Sequence, residues 1–164
     1  VLATEHKGID VREKIKKVKH DPEGLVLGWE YLYDDNKEAD DLIAELCYSL
    51  PNDEEIIIMS KDGDLIQMMA LPNVSLHDFT SMLSDEIIFG KYGITPKQYL
   101  DYKSLSGDKA DNIPGIRGIG PKTAEKYLSE YQTIDNFPPE LLDEEGIELT
   151  KLWKRISTIP FHQS

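Results

Sequence analysis

The chain has 164 residues, enough for one ordinary domain or two small ones with a usable core. No apolar run approaches the roughly 20 residues that span a bilayer and no signal-peptide pattern is present, so a soluble, cytoplasmic protein without a membrane partner is expected. A net charge of −13 argues against a simple nucleic-acid coat protein, but not against an enzyme holding metal ions: clustered carboxylates make a chain acidic, and a bound dication inverts the local field.

Cys47 is the lone cysteine, which excludes an internal disulfide and, by itself, a zinc site. Beside Leu46 and Leu50 in a helical pattern, it reads as a small buried thiol. The chain opens on Val1 rather than Met, so a fragment, a cleaved product or a truncated form is expected.

Asp10 to His20 predicts a short helix, with Val11, Ile15 and Val18 at helical spacing. Arg12, Lys14, Lys16, Lys17 and Lys19 make it the densest basic cluster, readable as a phosphate-contacting face or as a solvated helix side. Leu25 to Leu27 and Trp29 to Tyr33 look extended, and Asp34-Asp35-Asn36 is a turn. Ala39 to Leu50 reads as a helix with an apolar stripe of Leu42, Ile43, Leu46, Cys47 and Leu50, stopped by Pro51 and Asn52.

Ile56 to Met59 is a short apolar run, as suits a central parallel strand covered on both faces. A turn at Ser60 to Gly63, a short helix at Asp64 to Ala70 and a strand at Val74 to His77 complete an α/β alternation. After Phe79 only helices are predicted: Asp85 to Tyr92, Pro96 to Ser104, Pro121 to Tyr131 and Glu148 to Thr158. A boundary near Thr95-Pro96 divides an α/β part, 1–94, from a helical part, 95–164.

Three groups of acids stand at element ends. Glu38, Asp40 and Asp41 open the first clear helix, where any one of them could simply meet the helix dipole. Glu38 and Asp40 converge only if Glu38 still lies in the turn before that helix. Asp62 and Asp64 follow the apolar strand, where ligand sites of open α/β sheets gather, although an Asp-Gly turn with an Asp cap reads equally well. Asp108 and Asp111 lie in Gly-Asp-Lys-Ala-Asp-Asn.

No periodicity links the three groups. If they meet, an all-oxygen carboxylate set suits Mg²⁺ or Mn²⁺ rather than zinc. Two such ions about 4 Å apart can drive phosphodiester cleavage. No Ser-His-Asp or Cys-His set offers another nucleophile, and neither His77 nor His162 sits in a motif.

The most specific string is Ile113-Pro-Gly-Ile-Arg-Gly-Ile-Gly-Pro-Lys-Thr-Ala124. Gly115, Gly118 and Gly120 permit tight turning, Ile116 and Ile119 can anchor the loop, and Pro121 suits a first helical position. Amides beside a helix start can cradle a phosphate, with Lys122 and Lys126 adding charge; such contacts position a duplex without reading its sequence. The spacing is not a P-loop, and no strand precedes it as a dinucleotide fold requires.

The run Leu105 to Ala124 resembles the helix–hairpin–helix region of the 5′–3′ exonuclease and flap endonuclease family, which includes the 5′-nuclease domain of bacterial DNA polymerase I and phage relatives. Glu38-Ala-Asp-Asp41 and Ser60-Lys-Asp-Gly-Asp-Leu65 are similar to its two earlier metal motifs, in the same order. The resemblance implies a PIN-like (resolvase-like) α/β sheet followed by a helical DNA-binding region. It implies a structure-specific 5′ nuclease of replication or repair in a bacterial or phage-infected cell, acting on duplex DNA with a 5′ flap or 5′ end. Products would carry a 5′ phosphate and a 3′ hydroxyl.

Carried over motif by motif, Glu38, Asp40, Asp41, Asp62, Asp64, Asp108 and Asp111 would hold two Mg²⁺ or Mn²⁺ ions, with Asp62, Asp64 and Asp111 catalytic. Gly115, Arg117, Gly118, Gly120, Lys122, Thr123 and Lys126 would bind DNA, with a K⁺ ion at the hairpin.

Three departures accompany the likeness. Where the family commonly reads Ser-Gly-Asp-Lys-Asp this chain has Ser-Lys-Asp-Gly-Asp, so no lysine stands between Asp62 and Asp64. The stretch Leu25 to Asn36 does not match the family's approach to its first motif, and the family's first strand with its metal-binding Asp, its further acid downstream and its basic helical arch are not found, with Asp10 to His20 readable as a remnant of the arch region. An N-terminal segment or a separate chain is therefore expected to complete the site. The competing expectations are a non-catalytic duplex-DNA-binding module and a PIN-like ribonuclease.

Overall fold

A computed structural model describes residues 34 and 36–159, together with the backbone of three short strands nearer the N-terminus. These are β1 (Leu2–Ala3), β2 (Lys19–His20) and β3 (Val26–Leu27). The helix predicted over Asp10 to His20 otherwise lies outside the described residues, as does Trp29 to Tyr33. Its last two residues are corrected: Lys19 and His20 pair antiparallel with Leu27 and Val26, and this cross-strand pairing prevails over the local helical spacing.

The fold is mixed α/β, a small largely parallel sheet followed by helices. Helix α1 (Ala39–Ser49) buries Ile43, Ala44 and Cys47, one face of the predicted stripe. Strand β4 (Ile56–Met59) is central, parallel to β1 on one side and to β5 (Val74–His77) on the other. Ile56 and Ile58 are buried, as the short apolar run requires. The link between β4 and β5 is a 3₁₀ helix, Gly63–Ala70, burying Leu65, Ile66 and Met68.

Beyond Phe79 the expectation of helices alone is corrected by β6 (Met82–Leu83), antiparallel to β5 and giving the order β1-β4-β5-β6. Two residues are too few to show alternation in a sequence. Helix α2 (Asp85–Tyr92) starts on a Ser84 side-chain cap and ends at Gly93 in a left-handed conformation. After a 3₁₀ turn at Pro96–Gln98 come α3 (Tyr99–Ser106), α4 (Pro121–Tyr131) and α5 (Glu144–Ser157). The last begins earlier than its apolar spacing suggests, because the Asp143 carboxylate accepts from the Gly146 N–H at 2.8 Å and caps a polar first turn.

One cluster of buried side chains runs from Ile43 and Ile58 through Leu105 and Leu128 to Ile159. The sheet and the helices therefore brace one another, and the loops between them are held at fixed places.

Candidate metal centre and hairpin

Two loops deliver acids to one point. The turn after β4 brings Asp62 and Asp64: Asp62 is the N-cap of the 3₁₀ helix, its carboxylate accepting from the Asp64 N–H at 3.0 Å. Gly63 between them lies against Tyr99, whose hydroxyl would be 3.0 Å from an added Cβ. The loop after α3 brings Asp108 and Asp111. It is pinned by paired backbone bonds between Asp108 and Ile113, both 2.8 Å, and by the Ala110 N–H on Asp108 Oδ1 at 2.8 Å.

Asp64, Asp108 and Asp111 each place a carboxylate oxygen within 4.8 Å of the others. Among the described residues this is where carboxylates gather closely enough to hold an ion. Asp62 stands beside the group rather than in it. Glu38, Asp40 and Asp41 also lie outside it, at the start of α1, which packs against the 3₁₀ helix carrying Asp64. Glu38 is the extended N-cap residue, in the turn before the helix, and makes no side-chain cap bond. Burial, reinforced by the charges of Asp41 and Glu38, raises the Asp40 carboxyl above its ordinary range despite a bond from the Asp41 N–H.

Sequence reasoning missed Lys103. Its side chain is 2% exposed, and its ammonium bonds Asp64 and Asp111 and lies 3.4 Å from Asp108 Oδ2. A lysine thus reaches the acids from α3, although none stands between Asp62 and Asp64. The available signal was its position four residues after Tyr99, on the same helical face. Burial works to lower the Lys103 pKa, but the bonds to Asp111 and Asp64 prevail and raise it. Burial raises the Asp64 carboxyl, with Asp111 and Asp62 adding to it and Lys103 opposing. Burial thus opposes the charge of both groups, and it prevails at Asp64 but not at Lys103, where two carboxylates bond the ammonium.

Past this cluster the loop reaches α4. Gly107, Gly115 and Gly118 have φ of 80°, 71° and 87°. The Ile116 N–H donates to the Leu105 carbonyl at 2.8 Å, and buried Ile113 and Ile119 anchor the loop. Arg117, Gly118, Gly120, Lys122 and Lys126 are exposed and Thr123 half-buried, so the start of α4 faces solvent with cations around it. No helix among the described residues is long and apolar enough to cross a membrane.

Residues 94–158 match the family described as 5′–3′ exonuclease, C-terminal SAM fold. The thermostable DNA polymerase I of Thermus thermophilus is 33% identical over 132 residues, covering 74% of this chain and 16% of the polymerase. DNA polymerase I of Deinococcus radiodurans is 41% identical over 111 residues, covering 66% and 12%. The chain thus spans less than a fifth of the length of these relatives.

Among solved structures, the phage T5 5′-exonuclease with bound zinc shares the fold at a TM-score of 0.54 and 21% identity, over 74% of this chain and 47% of its own. The T5 flap endonuclease in a pseudo-enzyme–product complex with DNA and metal ions matches at 0.54 and 20%, again over 74% and 47%.

Proposed function

We infer that this chain, a member of the 5′–3′ exonuclease family through its residues 94–158, is the metal- and duplex-holding part of a structure-specific 5′ nuclease. The reaction is hydrolysis of DNA phosphodiester bonds at 5′ flaps or 5′ ends, in replication or repair, in the cytoplasm of a bacterial or phage-infected cell. The observation that carries this reading is the meeting of Asp64, Asp108 and Asp111 around a cation, the Lys103 ammonium.

The donor set fits a hard dication. It is all oxygen, as Mg²⁺ and Mn²⁺ prefer, and Lys103 stands in for positive charge at the same place. Asp64, Asp108 and Asp111 are its holders, Asp62 flanks them, and Glu38, Asp40 and Asp41 serve a second ion from α1. Bound there, a pair of dications supplies Lewis-acid charge to the scissile phosphate. The upstream acids of the family site come from an N-terminal segment or a separate chain.

The loop from Gly115 to Gly120 and the first turn of α4 receive the duplex. Arg117, Lys122, Thr123 and Lys126 meet phosphates there, K⁺ joins them at the hairpin, and backbone amides approach closely at Gly118 and Gly120, which have open space where a Cβ would stand, while Gly115 is buried against Gly107. A PIN-like part, 1–94, carries Asp62 and Asp64, and a helical part, 95–164, adds Asp108 and Asp111 and receives the DNA.

The test is cleavage of a 5′-labelled flap duplex in Mg²⁺ against an EDTA control, beside Mn²⁺ titrations of the same protein. Asp111→Asn and Asp64→Asn should weaken Mn²⁺ binding and slow cleavage by orders of magnitude while leaving duplex affinity unchanged. Salt-dependent duplex binding by all three proteins, without Mn²⁺ binding or turnover, would instead make the chain a non-catalytic DNA-binding module.

A further inference from the structure

Phe79 holds a backbone conformation that an aromatic residue seldom takes. Its φ is +70°, in the left-handed region, and the residue is 51% exposed. Glycine or asparagine would sit there with less strain, and the ring does not join the buried core. The turn is nonetheless firmly built. His77 Nδ1 accepts from the Phe79 N–H at 3.0 Å, Asp78 Oδ1 accepts from the Thr80 and Ser81 N–H groups at 2.8 Å each, and the Asp78 N–H donates to the Ser81 carbonyl at 3.1 Å. A strained residue held rigidly, with its ring in water, points to a use outside the fold.

The place of the turn says what that use is. Strand β5 runs parallel to β4 with His77 opposite Met59, so the turn leaves the sheet at the same end as the Asp62–Asp64 turn. The Ser60 N–H donates to the His77 carbonyl at 3.0 Å, joining the two turns, and the Lys61 charge is felt at Asp78. Met82, 42% exposed, pairs with His77 across β5 and β6, and the exposed Lys61 directly precedes Asp62. An aromatic face, an apolar thioether and an ammonium together match a base, its sugar and its phosphate.

We propose that Phe79 is a stacking platform for the base at the junction end of the duplex whose phosphate reaches Asp64, Asp108 and Asp111. This rests on the 5′-nuclease reading. Every base has a π-face, so a stacking contact recognises a duplex end without reading sequence, as a structure-specific enzyme requires.

The experiment places 2-aminopurine at the junction base of a 5′-flap duplex and follows its fluorescence and the duplex affinity in EDTA, where no cleavage occurs. The unsubstituted protein and Phe79→Trp should quench the probe. Phe79→Asn, which tolerates the left-handed backbone, should lose the quench and bind about tenfold more weakly or worse. Its Tm should be unchanged or higher. Phe79→Gly, which also relieves the strain, should behave alike, so that loss of binding is not loss of fold. Affinity and quench within twofold of the unsubstituted protein in both variants would overturn the platform and leave the nuclease reading standing. An unsubstituted protein that binds no duplex would overturn both.

Discussion

A buried ammonium is unfavourable unless anions surround it, and a group of carboxylates is unfavourable unless a cation does. Lys103 and the three acids solve both problems with one contact set. Replacing Lys103 by Met leaves the acids without their cation and should cost roughly 1–3 kcal/mol. The figure stays below that for a fully buried pair because the Asp108 and Asp111 side chains, 29% and 43% exposed, still reach water. In thermal melts without metal the Tm should fall by about 5 °C, and added Mg²⁺ should close the gap, because the site then binds the dication without a competing ammonium. A deficit that persists at saturating Mg²⁺, or Mn²⁺ binding weaker than in the parent, would mean that these acids are not a cation site. The sequence shows each acid but not their meeting: residues 64 and 111 stand on different elements that only the packing of α3 brings together. Lys103 escaped notice for a different reason: a lysine in a helix ordinarily faces water, which outweighed its place on the face of Tyr99.

Between α3 and α4 the conformation of the chain is set by a few glycines, and they are not equivalent. A Cβ on Gly115 would come within 2.5 Å of the Gly107 nitrogen and 2.7 Å of the Leu105 carbonyl oxygen, with φ at +71° besides. A Cβ on Gly107 would meet the Ile113 carbonyl oxygen at 2.7 Å. Gly118 has φ of +87° but open space around it, and Gly120 has neither constraint. Gly115→Ala should therefore cost more than about 3 kcal/mol, Gly118→Ala about 1 kcal/mol and Gly120→Ala a few tenths. Chemical denaturation of the three proteins checks this order. Equal losses at 115 and 118 would show that positive φ, and not the close approach of Gly107 and Gly115, governs the loop. A glycine-rich stretch signals tight turning, but which glycine touches backbone depends on the fold. That is why Gly107, before the string rather than in it, escaped notice, while Gly120 was overvalued as a conformational necessity. Regular elements were more legible. Helix α4 coincides with its apolar spacing, whereas the two-residue β6 offers no period to read.

Across the whole molecule, the acid-bearing turn and the last helix are tied by one side chain. Gln67, three residues after Asp64 and 7% exposed, donates to the Ser157 carbonyl and accepts from the Ile159 N–H, both at 3.0 Å, spanning 90 and 92 residues of sequence. A second tie runs through Asp101 in α3, whose buried carboxylate accepts from the Ile134 N–H at 3.1 Å and pairs with Lys154 of α5 at 2.6 Å. Position of Asp64 and docking of α5 are thus one structural event. Gln67→Leu keeps the volume but strands a buried carbonyl and a buried amide, at roughly 1–3 kcal/mol for each. The Tm should drop by about 5–10 °C, and the Ile159 amide, which donates to Gln67 Oε1, should exchange with solvent faster by an order of magnitude or more. If the clamp holds the 3₁₀ helix as well as the chain end, Mn²⁺ affinity should also fall severalfold, although Gln67 carries no charge and ligates nothing. Faster exchange at Ile159 with unaltered Mn²⁺ binding would confine its role to fastening α5; loss of both makes the last helix part of what holds the metal centre in shape.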